Sequence, residues 1–162
     1  VDTWLSHHKN ANFVILGTGD KSIESALEAV AKRHPKHVAC MLAYNEAMSH
    51  KIYAGADFLL MPSRVEPCGL NQMFAMRYGI LPIVRTTGGL KDSVKDISEP
   101  GGVGIRFDYM NFDQMMHAIW RAFEMYQHKE YLHHCVKEAM ALNYSWDASA
   151  QKYKDIYTEV LK

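Results

Sequence analysis

The sequence lacks the features that identify several classes of protein. Its three cysteines, Cys40, Cys68 and Cys135, are far apart and form no CxxC pair. Neither a disulfide framework nor a zinc site is therefore expected, and a reducing cytoplasm is the expected location. No apolar run approaches the roughly 18 residues of a membrane-spanning helix. Lysine plus arginine equals aspartate plus glutamate, at 18 each, and this balance gives no indication of nucleic-acid or membrane binding.

Signals for metal binding and for targeting are also weak. The adjacent histidine pairs His7-His8 and His133-His134 predict no metal site, because neighbours in sequence do not face one point on a helix. The sequence has no initiator methionine at its start, and its first nine residues lack the order of a signal peptide. We therefore expect the chain to be part of a longer protein.

Five short apolar segments predict the strands of a parallel sheet. They are rich in Val, Ile, Leu and Phe, mostly without alternation, which is typical of strands buried on both faces. Segments with helical periodicity separate them, and the last third of the chain is predicted to be all-helical. We therefore expect an α/β fold, a Rossmann-like doubly wound parallel sheet with C-terminal helices. The predicted strands are Phe13–Leu16, Val38–Leu42, Phe58–Met61, Pro82–Arg85 and Val103–Phe107.

Local signals predict where several helices and turns lie. Gly79 is well placed to end a helix. Asn111 with Gln114 resembles a capping box at a helix start, and Ser145 is predicted to begin the final helix. The segment Glu99-Pro100-Gly101-Gly102 predicts a turn.

Loops at the carboxyl ends of the strands are the candidate binding site, because open α/β sheets bind ligands there. The glycines of Gly17-Thr18-Gly19-Asp20 either let the backbone approach a ligand or form a tight strand-to-helix turn. Ser22 stands where a dinucleotide-binding G-x-G-x-x-G motif has its third glycine, which argues against that motif. Tyr44 follows the second strand and either stacks on a base or sugar or packs against the protein.

A third loop, residues 62–72, combines an acidic residue with small residues before a helix. Glu66 either accepts hydrogen bonds from sugar hydroxyls or caps the helix that follows. Backbone amides near Cys68, Gly69 and Leu70 can bind phosphate or hydroxyl oxygens, aided by the helix dipole. Because the loop holds one carboxylate and no evident pair, a glycosidase is poorly supported.

A fourth loop, Thr86–Leu90, has paired glycines that either allow close approach of a ligand or form a flexible connection. It lies with the third loop in a distinctive stretch, residues 56–94, which reads ADFLLMPSRVEPCGLNQMFAMRYGILPIVRTTGGLKDSV. This stretch closely resembles bacterial glycogen synthases and plant starch synthases, which are retaining glucosyltransferases with the glycosyltransferase B fold. The combination of PSR-x-EPCGL, AMRYG, P-I-V-R and TGGL carries the resemblance.

The resemblance implies a role for each candidate residue. The chain would be a C-terminal domain that binds ADP-glucose, and the complete enzyme would transfer glucose to the non-reducing end of an α-1,4-glucan. Glu66 is implied to bind the hydroxyls of the transferred glucose as the catalytic residue, and Tyr44 to lie against the adenine. No metal and no cofactor are implied, since ADP-glucose is the donor substrate. The other implied substrate-binding residues are Gly17, Gly19, Cys68, Gly69, Leu70, Thr87, Gly88 and Gly89.

The sequence departs from the wider fold in two places. Eight residues after Glu66, where many relatives of the fold have a second glutamate, it has Phe74, and an aromatic is usual there in the glycogen synthase branch. The family's phosphate-binding arginine and lysine lie upstream of residue 1, beside the first strand of the domain. We therefore expect residues 1–162 to be a single C-terminal domain, incomplete at its N-terminal edge, without the acceptor-binding domain and inactive alone.

Several expectations follow from a missing first strand. Its absence would leave unpaired backbone groups, which upstream residues of the parent, a second chain or a shifted strand would have to pair. Separately, the last helix resembles the family's final helix, which in the intact enzyme crosses back toward the other domain. Its apolar face, formed by Tyr153, Ile156, Tyr157 and Val160, is therefore expected to be exposed here. Two rival functions stay open, a UDP-sugar transferase of the same fold and a nucleotide- or glucan-binding module without catalysis.

Overall fold

Strands and helices alternate along the chain, as the apolar pattern predicts. The computed structural model describes residues 1–8 and 10–161. It divides the chain into a first unit, Val1–Gly55, and a second unit, Ala56–Lys162. The described strands pair in parallel and helices connect them, so the predicted α/β fold class is confirmed.

The first unit is built on one pair of parallel strands. Its elements are α1 (Asp2–His7), β1 (Phe13–Leu16), α2 (Lys21–Arg33), β2 (Val38–Met41) and α3 (Glu46–Gly55). In the pairing of β1 with β2, Phe13 lies opposite Val38 and Leu16 opposite Met41. The sequence did not predict α1, which is short and whose Trp4 is buried. Such a helix depends on packing more than on local propensity.

The second unit is built on three parallel strands in the order β3-β4-β5. Phe58 of β3 lies opposite Leu81 of β4, and Ile83 of β4 lies opposite Ile105 of β5. The predicted fifth strand began at residue 103, whereas the ladder begins two residues later. The elements are β3 (Phe58–Met61), α4 (Asn71–Tyr78), β4 (Leu81–Arg85), α5 (Gly88–Ser93), β5 (Ile105–Phe107), α6 (Phe112–Gln127), α7 (Lys129–Ala141) and α8 (Trp146–Val160).

The predicted helix and turn signals are confirmed in the second unit. Gly79 ends α4 with φ 82°, a left-handed conformation that glycine adopts easily. The Asn111 side chain accepts a hydrogen bond from Gln114 N at 2.9 Å. Ser145 Oγ accepts one from the Ala148 amide at 3.3 Å and so begins α8. In the predicted turn, the amide of Gly102 donates to the carbonyl oxygen of Glu99 at 3.0 Å.

The core of the second unit lies on both faces of its central strand. Leu81 and Val84 of β4 are buried in one apolar cluster with residues of α4 and α7, including Met76 and Leu132. Ile83, between them in sequence, is buried in a second cluster with residues of β5 and α6. Burial on both faces is what the continuous apolar runs predict.

The last helix, α8, packs least. Its residues Tyr153, Ile156, Tyr157 and Val160 are between 55% and 77% exposed, which confirms the expectation that this face is exposed. No helix within the described residues is long and apolar enough to cross a membrane.

Candidate functional site

The loop between β3 and α4 carries the acidic residue singled out in the sequence. Glu66 is half-buried, and its Oε2 accepts a hydrogen bond from Ser63 Oγ at 3.1 Å. It does not cap the helix that follows, because α4 has Leu70 at its N-cap position and no side-chain cap there. The capping alternative is therefore wrong, and the carboxylate keeps acceptor positions for a ligand.

The start of α4 has the properties of an anion-binding helix terminus. Gly69 adopts φ 72°, which lets the chain turn from the loop into the helix. Leu70 and Cys68 are exposed beside it. A helix N-terminus without a side-chain cap presents amide groups and the positive end of the helix dipole. Cys68, Gly69 and Leu70 thus surround amides that can bind phosphate or hydroxyl oxygens.

The loop after β4 packs directly against the loop between β3 and α4. The amide of Gly89 donates to the carbonyl oxygen of Glu66 at 3.0 Å. A Cβ atom on Gly88 would overlap that carbonyl, and one on Gly89 would overlap the carbonyl of Cys68. The paired glycines are thus required for loop-to-loop packing, whether or not a ligand also approaches them.

The Thr86–Leu90 segment differs from the sequence-based expectation of a loop throughout. Gly88 and Gly89 form the first residues of helix α5, and Thr87 is its N-cap residue. Glycine is among the poorest helix formers, so local propensity does not predict a helix here. The close packing of these glycines against Glu66 and Cys68 provides the tertiary contact that overrides the propensity.

Arg85, the last residue of β4, donates hydrogen bonds to the loop between β3 and α4. Its Nε donates to the carbonyl oxygen of Ser63 at 2.7 Å, and its guanidinium also donates to the carbonyl of Arg64. This arginine was not among the residues predicted for the site. Its place at the end of a predicted strand, two residues before Thr87, is the signal that could have found it.

A buried glutamine connects the two loops from inside. The side chain of Gln72, on α4, is 0% exposed. Its Nε2 donates to the carbonyl oxygens of Gly69 at 2.9 Å and Cys68 at 3.2 Å, and it lies 3.0 Å from Ser93 Oγ. The hydroxyl of Ser93, on α5, donates to the carbonyl of Gly89 at 2.6 Å. Sequence reasoning missed Gln72 and Ser93, since nothing in a single sequence shows that residues 21 positions apart meet.

The first unit contains the remaining glycines of the predicted site. Gly17 has φ 152° and its amide donates to the carbonyl of Met41 at 3.2 Å. The amide of Gly19 donates to Glu24 Oε1 at 2.9 Å, and Asp20 caps α2. The loop therefore has the geometry of a tight strand-to-helix turn, and the Gly19 amide already has a partner inside the protein.

The carboxylate that binds the Gly19 amide is itself strongly paired. Glu24 is buried and forms an ion pair with Lys21 at 2.6 Å. The hydrogen bond from Lys21, and next the one from the Gly19 amide, lower the pKa of Glu24. Glu24 is therefore ionised at neutral pH and stabilises the turn.

Tyr44 lies between β2 and α3, and its side chain is 86% exposed. The alternative that it packs against the protein is therefore wrong. An exposed aromatic ring after a strand of a parallel sheet is available to stack on a base or sugar. Tyr44, Gly17 and Gly19 belong to the first unit, whereas Glu66 and the α4 and α5 termini belong to the second.

Comparison with known proteins identifies the family. Residues 3–141 match the family described as "Glycosyl transferases group 1". The chain is 44% identical to a glycogen synthase of Bacillus cereus (strain B4264) over 92% of its length and 32% of that protein's. It is 41% identical to a glycogen synthase of Clostridium perfringens (strain 13 / Type A), covering 95% of this chain and 32% of the relative.

A solved structure agrees with these relatives. The catalytic domain of starch synthase IV from Arabidopsis thaliana, bound to ADP and acarbose, superposes with a TM-score of 0.81 at 38% identity. It covers 91% of this chain and 32% of that structure. The present chain thus spans about a third of the length of the curated relatives that it matches. The resemblance to glycogen and starch synthases is confirmed, and the chain belongs to the glycosyl transferases group 1 family.

Proposed function

We propose that this chain is the nucleotide-sugar-binding part of a glycogen or starch synthase, with ADP-glucose as the donor. The observation that carries the proposal is the packing of the two loops against each other at the backbone of Glu66. Gly89 donates to the carbonyl of Glu66, so the start of α5 lies against the loop that precedes α4. The solved starch synthase at 38% identity binds ADP, which supports the choice of donor.

In this proposal the second unit binds the glucose and its phosphates. Glu66, which does not cap α4, accepts hydrogen bonds from hydroxyls of the transferred glucose. Amides at Cys68, Gly69 and Leu70 bind glucose and phosphate oxygens at the start of α4. By family resemblance, the Thr87-Gly88-Gly89 segment lines the phosphate end of the site.

The chemistry proposed for the complete protein is transfer with retention of configuration. The acceptor hydroxyl oxygen bonds to the anomeric carbon on the face from which ADP departs, and the bond from that carbon to the phosphate oxygen breaks. The leaving phosphate takes the proton of the acceptor hydroxyl. Glu66 acts in this step by positioning and electrostatic stabilisation, because no covalent intermediate is required.

By family resemblance, the first unit, taken by itself, is proposed to contact the nucleotide. The exposed ring of Tyr44 stacks on the adenine. Gly17 and Gly19 are proposed to lie beside the donor. The space next to their backbone is open, since a Cβ atom on either would meet no atom within 4 Å. This assignment rests on the family resemblance and on these two local observations.

The acceptor and further donor contacts are proposed to come from parts of the protein outside residues 1–162. The chain spans about a third of its relatives, and the α-1,4-glucan would bind a separate N-terminal domain. Among the described residues, β1 pairs only with β2 and β3 only with β4. Each therefore has an edge at which a further strand of the parent protein can pair. A cytoplasmic location is proposed with this function.

The test is glucose transfer to glycogen by the full-length protein that contains this chain. ADP-glucose is expected to be a better donor than UDP-glucose, and Glu66→Gln to lower kcat/KM by about 100-fold, as for loss of a transition-state contact. Glu138→Gln, which changes an exposed glutamate of α7, serves as the control. Preference for UDP-glucose would favour the UDP-sugar transferase, and absence of transfer with either donor would favour a binding module.

A further inference from the structure

We propose that Gln72 is a positioning residue that, together with Ser93, fixes the two donor-binding loops relative to each other. This inference rests on the proposed function, because it takes the loops at the starts of α4 and α5 to be the donor site. Neither residue reaches the donor in this proposal. Each acts through backbone carbonyls that it orients.

Gln72 lies in a buried environment of backbone carbonyls. Its side chain is completely buried, and its Nε2 binds the carbonyl oxygens of Gly69 at 2.9 Å and Cys68 at 3.2 Å. A reversed amide would place an oxygen against these carbonyls, so the donor assignment is fixed by its partners. Because the carbonyls point inward to Gln72, this turn of backbone cannot rotate without breaking buried hydrogen bonds.

Ser93 extends the hydrogen bonds of Gln72 to the loop at the start of α5. Ser93 Oγ lies 3.0 Å from Gln72 Nε2 and donates to the carbonyl of Gly89 at 2.6 Å. The Ser93 hydroxyl accepts a hydrogen bond from Gln72 and donates one to Gly89, so this position needs a group that is both a donor and an acceptor. The backbone of Ser93 is fixed in turn, since Tyr144 donates to its carbonyl oxygen at 2.8 Å.

Burying the Gln72 amide costs stability. Oε1 of Gln72 is buried without a hydrogen-bond partner among the described protein groups. An unpaired buried acceptor destabilises a fold, and an apolar side chain of similar volume would avoid that cost. The arrangement is understandable if the two amide hydrogens of Gln72 are needed to orient the loops.

The two loops lie too close together to move independently. A Cβ atom on Gly88 would overlap the carbonyl of Glu66, and one on Gly89 the carbonyl of Cys68. Two loops in such close contact shift together or not at all, because packed interiors have little free volume. The Gln72–Ser93 link joins the same two loops through the carbonyls of Gly69, Cys68 and Gly89. In this proposal it adds to the packing that holds Glu66 against the start of α5.

The experiment measures amide hydrogen exchange in the full-length protein that contains this chain, residue by residue, by NMR. Gln72→Met removes both amide donors and keeps the length of the side chain. Ser93→Ala removes the bond to Gly89 and the Ser93 acceptor of Gln72 Nε2, and it keeps the Gln72 bonds to Gly69 and Cys68. The reporter is the amide of Gly89, which donates to Glu66, and the reference is the amide of Ile97, which donates to Gly104 at 2.8 Å.

Two control variants separate loop positioning from general stability. Gln127→Met makes the same change at an exposed position of α6 and is expected to alter neither rate. Leu132→Ala opens a cavity in the core cluster and is expected to speed exchange at Gly89 and Ile97 together, through unfolding of the whole unit.

The expected result is local. Exchange at Gly89 increases on the order of tenfold in Gln72→Met and in Ser93→Ala, which corresponds to loss of a buried hydrogen bond, while exchange at Ile97 does not change. In Ser93→Ala the amide of Met73, which donates to Leu70, keeps its rate. An unchanged Gly89 rate in either variant, or rates at Gly89 and Ile97 that rise by the same factor, would overturn the proposal.

A second measurement separates this inference from the proposed function. In the full-length protein, Gln72→Met is expected to weaken ADP binding about tenfold by calorimetry, with Gln127→Met unchanged. If the exchange result is as expected and ADP affinity does not change, the link exists without positioning the donor, and the proposal is wrong. If the unaltered full-length protein does not bind ADP, the proposed function fails, while the exchange experiment still decides whether the link fixes the loops.

Discussion

At the scale of single residues, the candidate site is held in place by glycines and by side chains whose roles cannot be recognised in a sequence. Glu66 was recognisable because an acidic residue before a helix suggests chemistry. Its surroundings were not, because the glycines, Arg85 and Gln72 act through backbone carbonyls. The Gly89 amide binds Glu66, and Arg85 binds Ser63. These contacts fix the carboxylate's position without touching the carboxylate.

Enlarging Gly89 is expected to separate the two loops. In Gly89→Ala the new Cβ atom would overlap the backbone of Cys68, and such overpacking lowers the free energy of unfolding by about 1–3 kcal/mol. Urea denaturation measures this change. Gly55→Ala is the matched control, because a Cβ atom there meets no atom within 4 Å and the substitution favours helix by up to about 1 kcal/mol. Equal stability of Gly89→Ala and the unaltered chain would contradict the close packing.

At the scale of elements, the strands could be predicted and two helices could not. Four of the predicted apolar segments match their strands within a residue at either end, because a strand buried on both faces needs continuous apolar residues. Helix α5 begins with Gly88 and Gly89, whose low helix propensity hides it. Helix α1 has only six residues, too few for a periodic pattern to appear.

The segment between α5 and β5 is stabilised by one buried carboxylate. Asp96 forms an ion pair with Arg121 of α6 and accepts hydrogen bonds from the amides of Ser98 and Arg106. Burial alone would raise the pKa of Asp96, but the hydrogen bonds, first from Arg121 and then from Ser98 and Arg106, lower it to about 2. The carboxylate thus ties this segment to β5 and α6.

The pH dependence of stability tests this interaction. Because the pKa of Asp96 is lower in the folded state than its usual value of 3.8, its contribution is full above pH 3.8 and is lost as the pH falls towards about 2. The contribution is about 2 kcal/mol. We expect Asp96→Asn to lower the free energy of unfolding at pH 6, and the difference from the unaltered chain to shrink by pH 2. Denaturant titrations at a series of pH values measure the difference, and one that is constant with pH would rule out this role for Asp96.

Helix α8 gives a prediction of the opposite kind. Ile156 and Tyr157 are more than half exposed, so Ile156→Gln and Tyr157→Gln are expected to change the free energy of unfolding by no more than about 0.5 kcal/mol. Leu132→Ala, in the core cluster, should lower it by about 2–5 kcal/mol. Thermal or urea unfolding compares them. A loss at Ile156 as large as that at Leu132 would mean that this face is covered in solution.

At the scale of the whole molecule, the chain consists of two units whose sequence belongs to one family over residues 3–141. The family could be predicted from the motifs in residues 56–94, since long combinations of loop and helix residues are specific in a way that single loops are not. Roles for Gly17, Gly19 and Tyr44 in donor binding are proposed from the resemblance. Their local geometry is a tight turn at the two glycines and an exposed ring at Tyr44.

The central claim is that Glu66 and the loops around it bind ADP-glucose, and calorimetric titration tests it most directly. ADP-glucose, ADP and UDP-glucose are titrated into the full-length protein and into this chain, each with and without Glu66→Ala. We predict that the full-length protein binds ADP-glucose most tightly and that Glu66→Ala abolishes or strongly weakens this binding while its thermal stability is unchanged. Tighter binding of UDP-glucose, or ADP-glucose affinity that Glu66→Ala leaves unchanged, would contradict the account.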